Sequence, residues 1–220
     1  MTAFFTLVAV GLAFLVGEAF TAQTLTSPIL TNWGTWGEFE YCPPGSKVIS
    51  MQIKVEPWDA WDGLTDDSCL NAIKLVCGNP VTGDIANFIT SKEGTFGRYK
   101  AMHRCNGNGY AVGFMLRVVE EDTAIVDETA TNNLRILCAG STSGFMELDG
   151  EGWGEWTNPR ICDSHEYICG IQTQVQDDQG ITRDDTALNN LRVQCCDLTK
   201  EDMVYYGLRV ENTTMSRSHK

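Results

Sequence analysis

The sequence predicts an all-β fold: a β-prism of three antiparallel sheets around an internal pseudo-three-fold axis, stapled by disulfides. Three observations predict it. The segment Asp66–Cys77 returns as Asp127–Cys138 and again as Asp184–Cys195, at a nearly constant period, so one supersecondary unit occurs three times. A short aromatic and glycine-rich segment precedes each copy, as Trp33–Trp36, Gly94–Gly97 and Trp153–Trp156. Within each copy apolar residues recur at period two, the spacing of a strand with one covered and one wet face. Three short sheets, none able to bury its apolar face alone, solve that problem by leaning their inner faces together.

Residues 1–22 read as a secretory signal rather than as part of the fold. Phe4–Val16 is an apolar run followed by small residues, with cleavage expected after Ala19 or Ala22, although no Lys or Arg precedes the run. It is shorter than the roughly 18–20 residues that span a bilayer, and no later segment approaches that length. The expectation is a secreted, extracellular protein with no membrane span. Residues 23–199 are expected to form a single prism domain, with repeats at about 32–80, 92–140 and 151–197. Residues 200–220 read as a polar tail.

The first strand of each repeat alternates. Ile49, Met51, Ile53 and Val55 share one face; Val112, Phe114, Leu116 and Val118 follow the same rule, as do Cys169, Ile171, Thr173 and Val175. The closing strand places Ile73, Leu75 and Cys77 inside, then Leu134, Ile136 and Cys138, then Leu191, Val193 and Cys195. Lys74, Arg135 and Arg192 take the opposite face each time. Between the two strands lie turn-rich connections such as Glu56–Gly63 and Asp177–Gly180, whose Gly and Asp residues suit tight turns.

Nine cysteines in a secreted chain are expected to be oxidised, and no Cys-x-x-Cys pair suggests zinc. Equivalent positions predict equivalent bridges: Cys42–Cys77, Cys105–Cys138 and Cys162–Cys195. Cys169–Cys196 is the natural fourth, and exchange of partners between the last two pairs is equally compatible with the sequence. Cys69 falls where the other copies carry Ala130 and Ala187, so it is expected to be a buried thiol outside the bridges. The formal net charge of −13 argues against nucleic acid or an anionic membrane as partner, because both demand clustered Lys and Arg.

The motif Trp33–Cys42 (WGTWGEFEYC), the strand Ile49–Pro57 (ISMQIKVEP) and the segment Asp184–Cys196 (DDTALNNLRVQCC) together resemble the vitelline membrane outer layer protein I family. The likeness covers roughly residues 29–197. It implies a prism of three Greek-key sheets, four disulfides and a place in egg coats, mucus or other secretions. It also implies a likeness in fold to some plant lectins, and an association of the egg-coat member with chito-oligosaccharides. Cys69 and the polar tail depart from the family pattern.

Three acidic pairs are the most conspicuous repeated polar feature: Asp66 with Asp67, Asp127 with Glu128, and Asp184 with Asp185. Paired carboxylates serve glycosyl transfer and hydrolysis, and they also accept hydrogen bonds from sugar hydroxyls. Recurrence in every copy favours a third role, shaping the turn into the closing strand, since a structural role is needed three times and a catalytic one only once. Trp33, Trp36, Trp153 and Trp156 are expected to pack as clusters that close sheet corners, with stacking on sugar rings as the alternative. Trp58 and Trp61, with Asp62 beside them, occur in one repeat alone and are the preferred ligand-facing candidates. Asn71, Asn132 and Asn189 are expected to satisfy buried backbone groups. His103, His165 and His219 share no spacing and assemble no triad, and no cofactor or metal is expected. Asn212, in Asn-Thr-Thr, is a glycosylation acceptor. Two functions remain: a structural or glycan-binding component of an extracellular coat or secretion, with glycans or coat proteins as partners, or a carbohydrate-active enzyme working on N-acetylglucosamine chains through an acidic pair. The first is favoured.

Overall fold

The computed structural model describes residues 22–56, 69–119, 130–140, 144–178 and 186–209. In chain order, β1 (Thr24–Thr26) precedes a first unit of β2 (Thr35–Trp36), β3 (Glu40–Tyr41), β4 (Lys47–Val55), β5 (Leu70–Gly78) and β6 (Ile85–Ile89). The second unit is β7 (Arg98–Tyr99), β8 (His103–Arg104), β9 (Tyr110–Val118), β10 (Thr131–Ala139) and β11 (Phe145–Glu147). The third is β12 (Glu155–Trp156), β13 (Arg160–Ile161), β14 (Glu166–Val175) and β15 (Leu188–Asp197), and α1 (Lys200–Tyr205) follows.

Each long hairpin is the middle of one antiparallel sheet, and each sheet borrows its edge from the next repeat. The first sheet runs β6-β5-β4-β7 with β8 also on β4, and the second runs β11-β10-β9-β12 with β13 on β9. A meander whose fourth strand returns beside its first is a Greek key. The third sheet, β1-β15-β14-β2 with β3 on β14, closes the ring by taking three strands from the N-terminal end. Three Greek-key sheets around a pseudo-three-fold axis are therefore the architecture, as the repeats predict.

The inner faces meet in one apolar cluster that includes Met51, Ile53, Ile73, Phe114, Leu134, Ile171 and Leu191. Every apolar residue assigned to the closing strands lies in it. The first strands need a correction. Pairing shifts register between Val48 and Ser50, between Ala111 and Gly113, and between Ile168 and Gly170. The bulge residue at each place is Ile49, Val112 or Cys169, all three assigned inside by alternation. One extra residue reverses the face, so Val48, Ala111 and Ile168 enter the central cluster instead. Cys169 is thereby turned away from the axis, where it bridges Cys196.

The bridges are Cys42–Cys77, Cys105–Cys138, Cys162–Cys195 and Cys169–Cys196. Each of the first three ties a short strand lying on one sheet to the closing strand of the next, so the covalent staples run between sheets. Cys69 is buried and takes part in none of them.

The outer faces are drier than one-sided alternation predicts, because side chains of the borrowed edge strands reach back over them. The aromatic of each borrowed strand stacks on the repeated cation of the hairpin beneath. Lys74 Nζ sits 3.5 Å from the Tyr99 ring centre, Arg135 Cζ 4.0 Å from Trp156, and Arg192 Cζ 3.9 Å from Trp36. The structure also resets the second aromatic copy. Gly34, Gly97 and Gly154 share φ near +80° and press on the backbone of Val175, Val55 and Val118, so Phe96–Tyr99 rather than Gly94–Gly97 is the counterpart of Trp33–Trp36.

Candidate functional site

The three connections between long strands leave and return at one end of the prism, and each is pinched at its base by the same bond. Glu56 N–H donates to the Cys69 carbonyl at 2.8 Å, Val119 to Ala130 at 3.1 Å, and Gln176 to Ala187 at 2.8 Å. The acidic candidates fall within these connections: Asp66 and Asp67 in the first, Asp127 and Glu128 in the second, Asp184 and Asp185 in the third. All six carboxylates lie outside the described residues, as do Trp58, Trp61 and Asp62. His219, the Asn212 acceptor and the leader up to residue 21 do so too.

Beside each base an asparagine ties the hairpin to the borrowed segment. Asn71 Nδ2 donates to the Cys69 carbonyl at 3.3 Å while its Oδ1 accepts from Phe96 N–H at 3.3 Å. Asn189 repeats the clamp with the Ala187 carbonyl at 3.2 Å and Trp33 N–H at 3.2 Å. Both do what the sequence predicts. Asn132 does not: fully buried, its amide nitrogen and oxygen have no hydrogen-bond partner among the described residues. A donor two residues before each pinch reinforces the clamp, on the counterpart glycine in two units and on Gly94, three residues ahead of Gly97, in the other. Lys54 Nζ donates to the Gly94 carbonyl at 2.8 Å, Arg117 Nε to Gly154 at 2.9 Å, and Gln174 Nε2 to Gly34 at 3.3 Å.

What these clamps hold up is aromatic. Trp33 and Trp153, expected to be packed in sheet corners, are 48 % and 53 % exposed. Positive φ at Gly34 and Gly154 turns the chain so that the preceding indole faces outward, while Trp36 and Trp156 lie half-buried on their arginines. Next to them a groove of about 570 Å³ runs between Pro28 and Leu30 on one side and Val118, Gly154, Trp156 and Asn158 on the other. It adjoins a smaller hollow of about 320 Å³ formed by Ile29–Trp33. Flat apolar faces beside amide and carboxylate groups suit a pyranose, which has an apolar face and a hydroxyl rim. Sequence reasoning did not single out the Pro28–Leu30 stretch. Its signal was a short apolar run just ahead of the first repeat that has no repeated counterpart.

The titratable groups place no acid–base pair at this end among the described residues. The Glu166 carboxyl is displaced upward; burial dominates, opposed by the Asp163 amide it accepts and helped by Asp163 and Asp197. Glu166 opens β14, at the opposite end. His103 contacts Asp149 at 2.8 Å on the surface. His165 occupies a turn with φ of 73°, and its carbonyl accepts from Leu198.

The opposite end is closed. Lys47, Tyr110 and Tyr167 hold equivalent positions at the starts of β4, β9 and β14, and all are buried. Lys47 Nζ lies 5.1 Å from the Tyr167 ring centre, and Tyr110 meets Tyr167 edge-on at 6.3 Å. Residues read as the start of a polar tail form α1, capped by Thr199 and docked here through Met203, Tyr206 and Leu208. Asp202 pairs with Lys47 at 2.7 Å.

The sequence model of the family described as vitelline membrane outer layer protein I matches residues 23–198. The vitelline membrane outer layer protein 1 homolog of Mus musculus is 37 % identical over 175 residues, covering 76 % of this chain and 81 % of that protein. The homolog of Homo sapiens is 36 % identical over 169 residues, covering 74 % and 78 %. Among solved structures, the chain is similar to the agglutinin of Calystegia sepium at 11 % identity and a TM-score of 0.49, over 80 % of this chain and 97 % of that one. It is likewise similar to a Malaysian banana lectin at 12 % identity and a TM-score of 0.47, over 80 % and 99 %.

Proposed function

Because the chain belongs to the vitelline membrane outer layer protein I family, we propose that it is a secreted structural or glycan-binding component of an extracellular coat or secretion, and that the loop-bearing end is its saccharide surface. The observation that carries the binding reading is the exposure of two equivalent indoles, Trp33 and Trp153, close to a groove with mixed lining. An exposed indole offers a flat apolar face on which a pyranose ring can stack. Four disulfides, three of them between sheets, fit an oxidising compartment and resistance to unfolding.

Trp58, Trp61 and Asp62 belong to the connection that starts beside Gly97, and we assign them to the same surface as a second aromatic contact. The acidic pairs Asp66 with Asp67, Asp127 with Glu128 and Asp184 with Asp185 belong to the same end, and we assign them to shaping its turns and accepting sugar hydroxyls. Binding is preferred to turnover because an acidic pair that recurs in every copy fits a role needed three times, whereas a catalytic role is needed once.

The test is binding of oxidised mature protein to immobilised neutral glycans, chito-oligosaccharides included, with products checked by mass. Trp33→Ala with Trp153→Ala should weaken binding about tenfold or more, the loss of roughly 1.4 kcal/mol or more of stacking. Unchanged binding by a correctly folded double variant would remove the indoles from the site. Oligosaccharides of altered length would replace the binding reading with an enzymatic one.

A further inference from the structure

A cavity of about 280 Å³ lies at the closed end, between the prism and α1. Its prism wall is Gly45, Lys47, Asn79 and Val81; its helical wall is Glu201, Asp202, Tyr205 and Tyr206. The matched family unit ends at residue 198, so the helical wall is an addition to that unit. A helix of six residues is too short to persist alone. It is fixed by a capping box, by Asp202 on Lys47, by Tyr206 edge-on to Tyr110 at 5.0 Å, and by Tyr206 Oη donating to the Asn108 carbonyl at 3.0 Å.

The lining has the chemistry of a sugar site. Lys47, its side chain 4 % exposed, directs one N–H to Asp202 and has two further donors. Glu201 supplies a carboxylate, and Asp202 is held by Lys47 and Thr199. Asn79 turns its Oδ1 to the Val81 and Thr82 amides and offers its Nδ2, and the Tyr205 ring is half-exposed. Lys47 and Asp202 neutralise each other, and the chain carries a net charge of −13, so a neutral ligand is favoured over an acidic one. The volume is that of a small ligand rather than a chain.

We infer that this cavity is a second saccharide site, taking one neutral pyranose, and that the protein is bivalent, with a glycan site at each end of the prism. The nine-residue β4 separates them by about 30 Å. Two sites facing opposite ways cannot close on one short oligosaccharide; they join separate glycan chains, as a coat component requires. The bivalency, though not the cavity site, rests on the glycan reading of the loop-bearing end.

The test uses the full oxidised chain, titrated with mannose, galactose, glucose and N-acetylglucosamine and followed by NMR, together with turbidity against a multivalent neutral glycoconjugate. Saturable shifts at Asn79, Val81 and Tyr206 are expected, and Glu201→Gln or Tyr205→Ala should weaken them about tenfold and abolish turbidity. Trp33→Ala with Trp153→Ala should also abolish turbidity while leaving the Asn79 and Val81 shifts intact. Absence of those shifts with every sugar, or shifts indifferent to Glu201→Gln and Tyr205→Ala, would overturn the cavity site. Cavity shifts without turbidity in the unsubstituted protein would overturn the bivalency alone.

Discussion

At the loop-bearing end the three repeats place the same bond in the same position, whereas at the closed end they diverge. The pinch at each connection, the donor holding each borrowed segment and the glycine behind each aromatic all occur in triplicate. At the closed end one position carries Lys47 in the first repeat and tyrosine in the others, and α1 packs over a single sector. A requirement of the fold recurs with each sheet; a requirement of ligand or partner has no reason to. The triplicate bonds and glycines are accordingly assigned to architecture, and the singular Lys47 and α1 to recognition.

The largest effect expected from this division is at the triplicate glycines. Gly154 has φ of +78°, and a Cβ there would stand 2.3 Å from the Val118 carbonyl oxygen. Gly154→Ala combines a left-handed backbone with a clash against main chain, and about 3 kcal/mol or more of stability should disappear in urea denaturation. Gly45 has a similar φ but open space around it, so Gly45→Ala should cost only about 1–2 kcal/mol. Equal losses would break the contrast between a glycine packed on main chain and one in open space.

The next effect concerns the singular ion pair. Burial works against the charge of Asp202, yet hydrogen bonds from Lys47 and from the Thr199 amide and hydroxyl outweigh it and hold the carboxyl below its ordinary value. A lowered folded pKa stabilises above the unfolded value of about 3.9 and is lost as pH falls through the folded one. Docking of α1 should therefore persist at neutral pH, begin to weaken below about pH 4 and fail as pH falls through the lowered Asp202 value, with hydrogen exchange at Met203–Leu208 reporting it. Asp202→Asn should loosen the same segment at pH 7, costing about 1–3 kcal/mol because Lys47 is left buried without its counter-charge. At the alkaline side the neighbouring Tyr110 phenol is pushed up to about 12, first by burial and then by Asp202. Its contribution is complete below pH 10 and falls away as pH rises through about 12.

The strands, sheet number, three-fold axis and the bridges Cys42–Cys77 and Cys105–Cys138 were legible because each rests on a pattern stated three times, whereas adjacent Cys195 and Cys196 left the partners of Cys162 and Cys169 open. Alternation exposes the Ile73, Leu75 and Cys77 column and its copies without ambiguity. It fails at Ile49, Val112 and Cys169, since a bulge changes which side a residue faces without changing residue type. The swap of lead-in strands was hidden for another reason: Trp36 stacks on Arg192 across most of the chain, and nothing local to either reveals the partner. Exposure of Trp33 and Trp153 was likewise hidden, because a Trp-Gly-x-Trp spacing does not say which indole the glycine turns outward. Docking of α1 depends on Lys47 and Asp202, two charges whose separation in sequence leaves no pattern.

The smallest predicted effect is the most discriminating, because it lies within a triplicate feature. Asn71 and Asn189 each join a backbone carbonyl to the N–H of a borrowed segment, whereas the equally buried Asn132 has no partner among the described residues. Leucine has the branching of asparagine and makes no hydrogen bond; its larger methyl groups add an overpacking cost that all three sites share. At the first two positions it leaves the N–H of Phe96 or Trp33 without its acceptor, the carbonyl still accepting from Glu56 or Gln176, and a desolvated donor costs about 1–3 kcal/mol. At Asn132 the desolvated amide is itself the unfavourable group, and its removal should leave stability within about 0.5 kcal/mol of the parent or raise it. Urea denaturation of Asn71→Leu, Asn132→Leu and Asn189→Leu measures all three. A loss at Asn132→Leu as large as at the other two would mean that the second repeat is clamped through the same bond. The three connections would then be alike, and no asymmetry of the loop-bearing end could be traced to its frame.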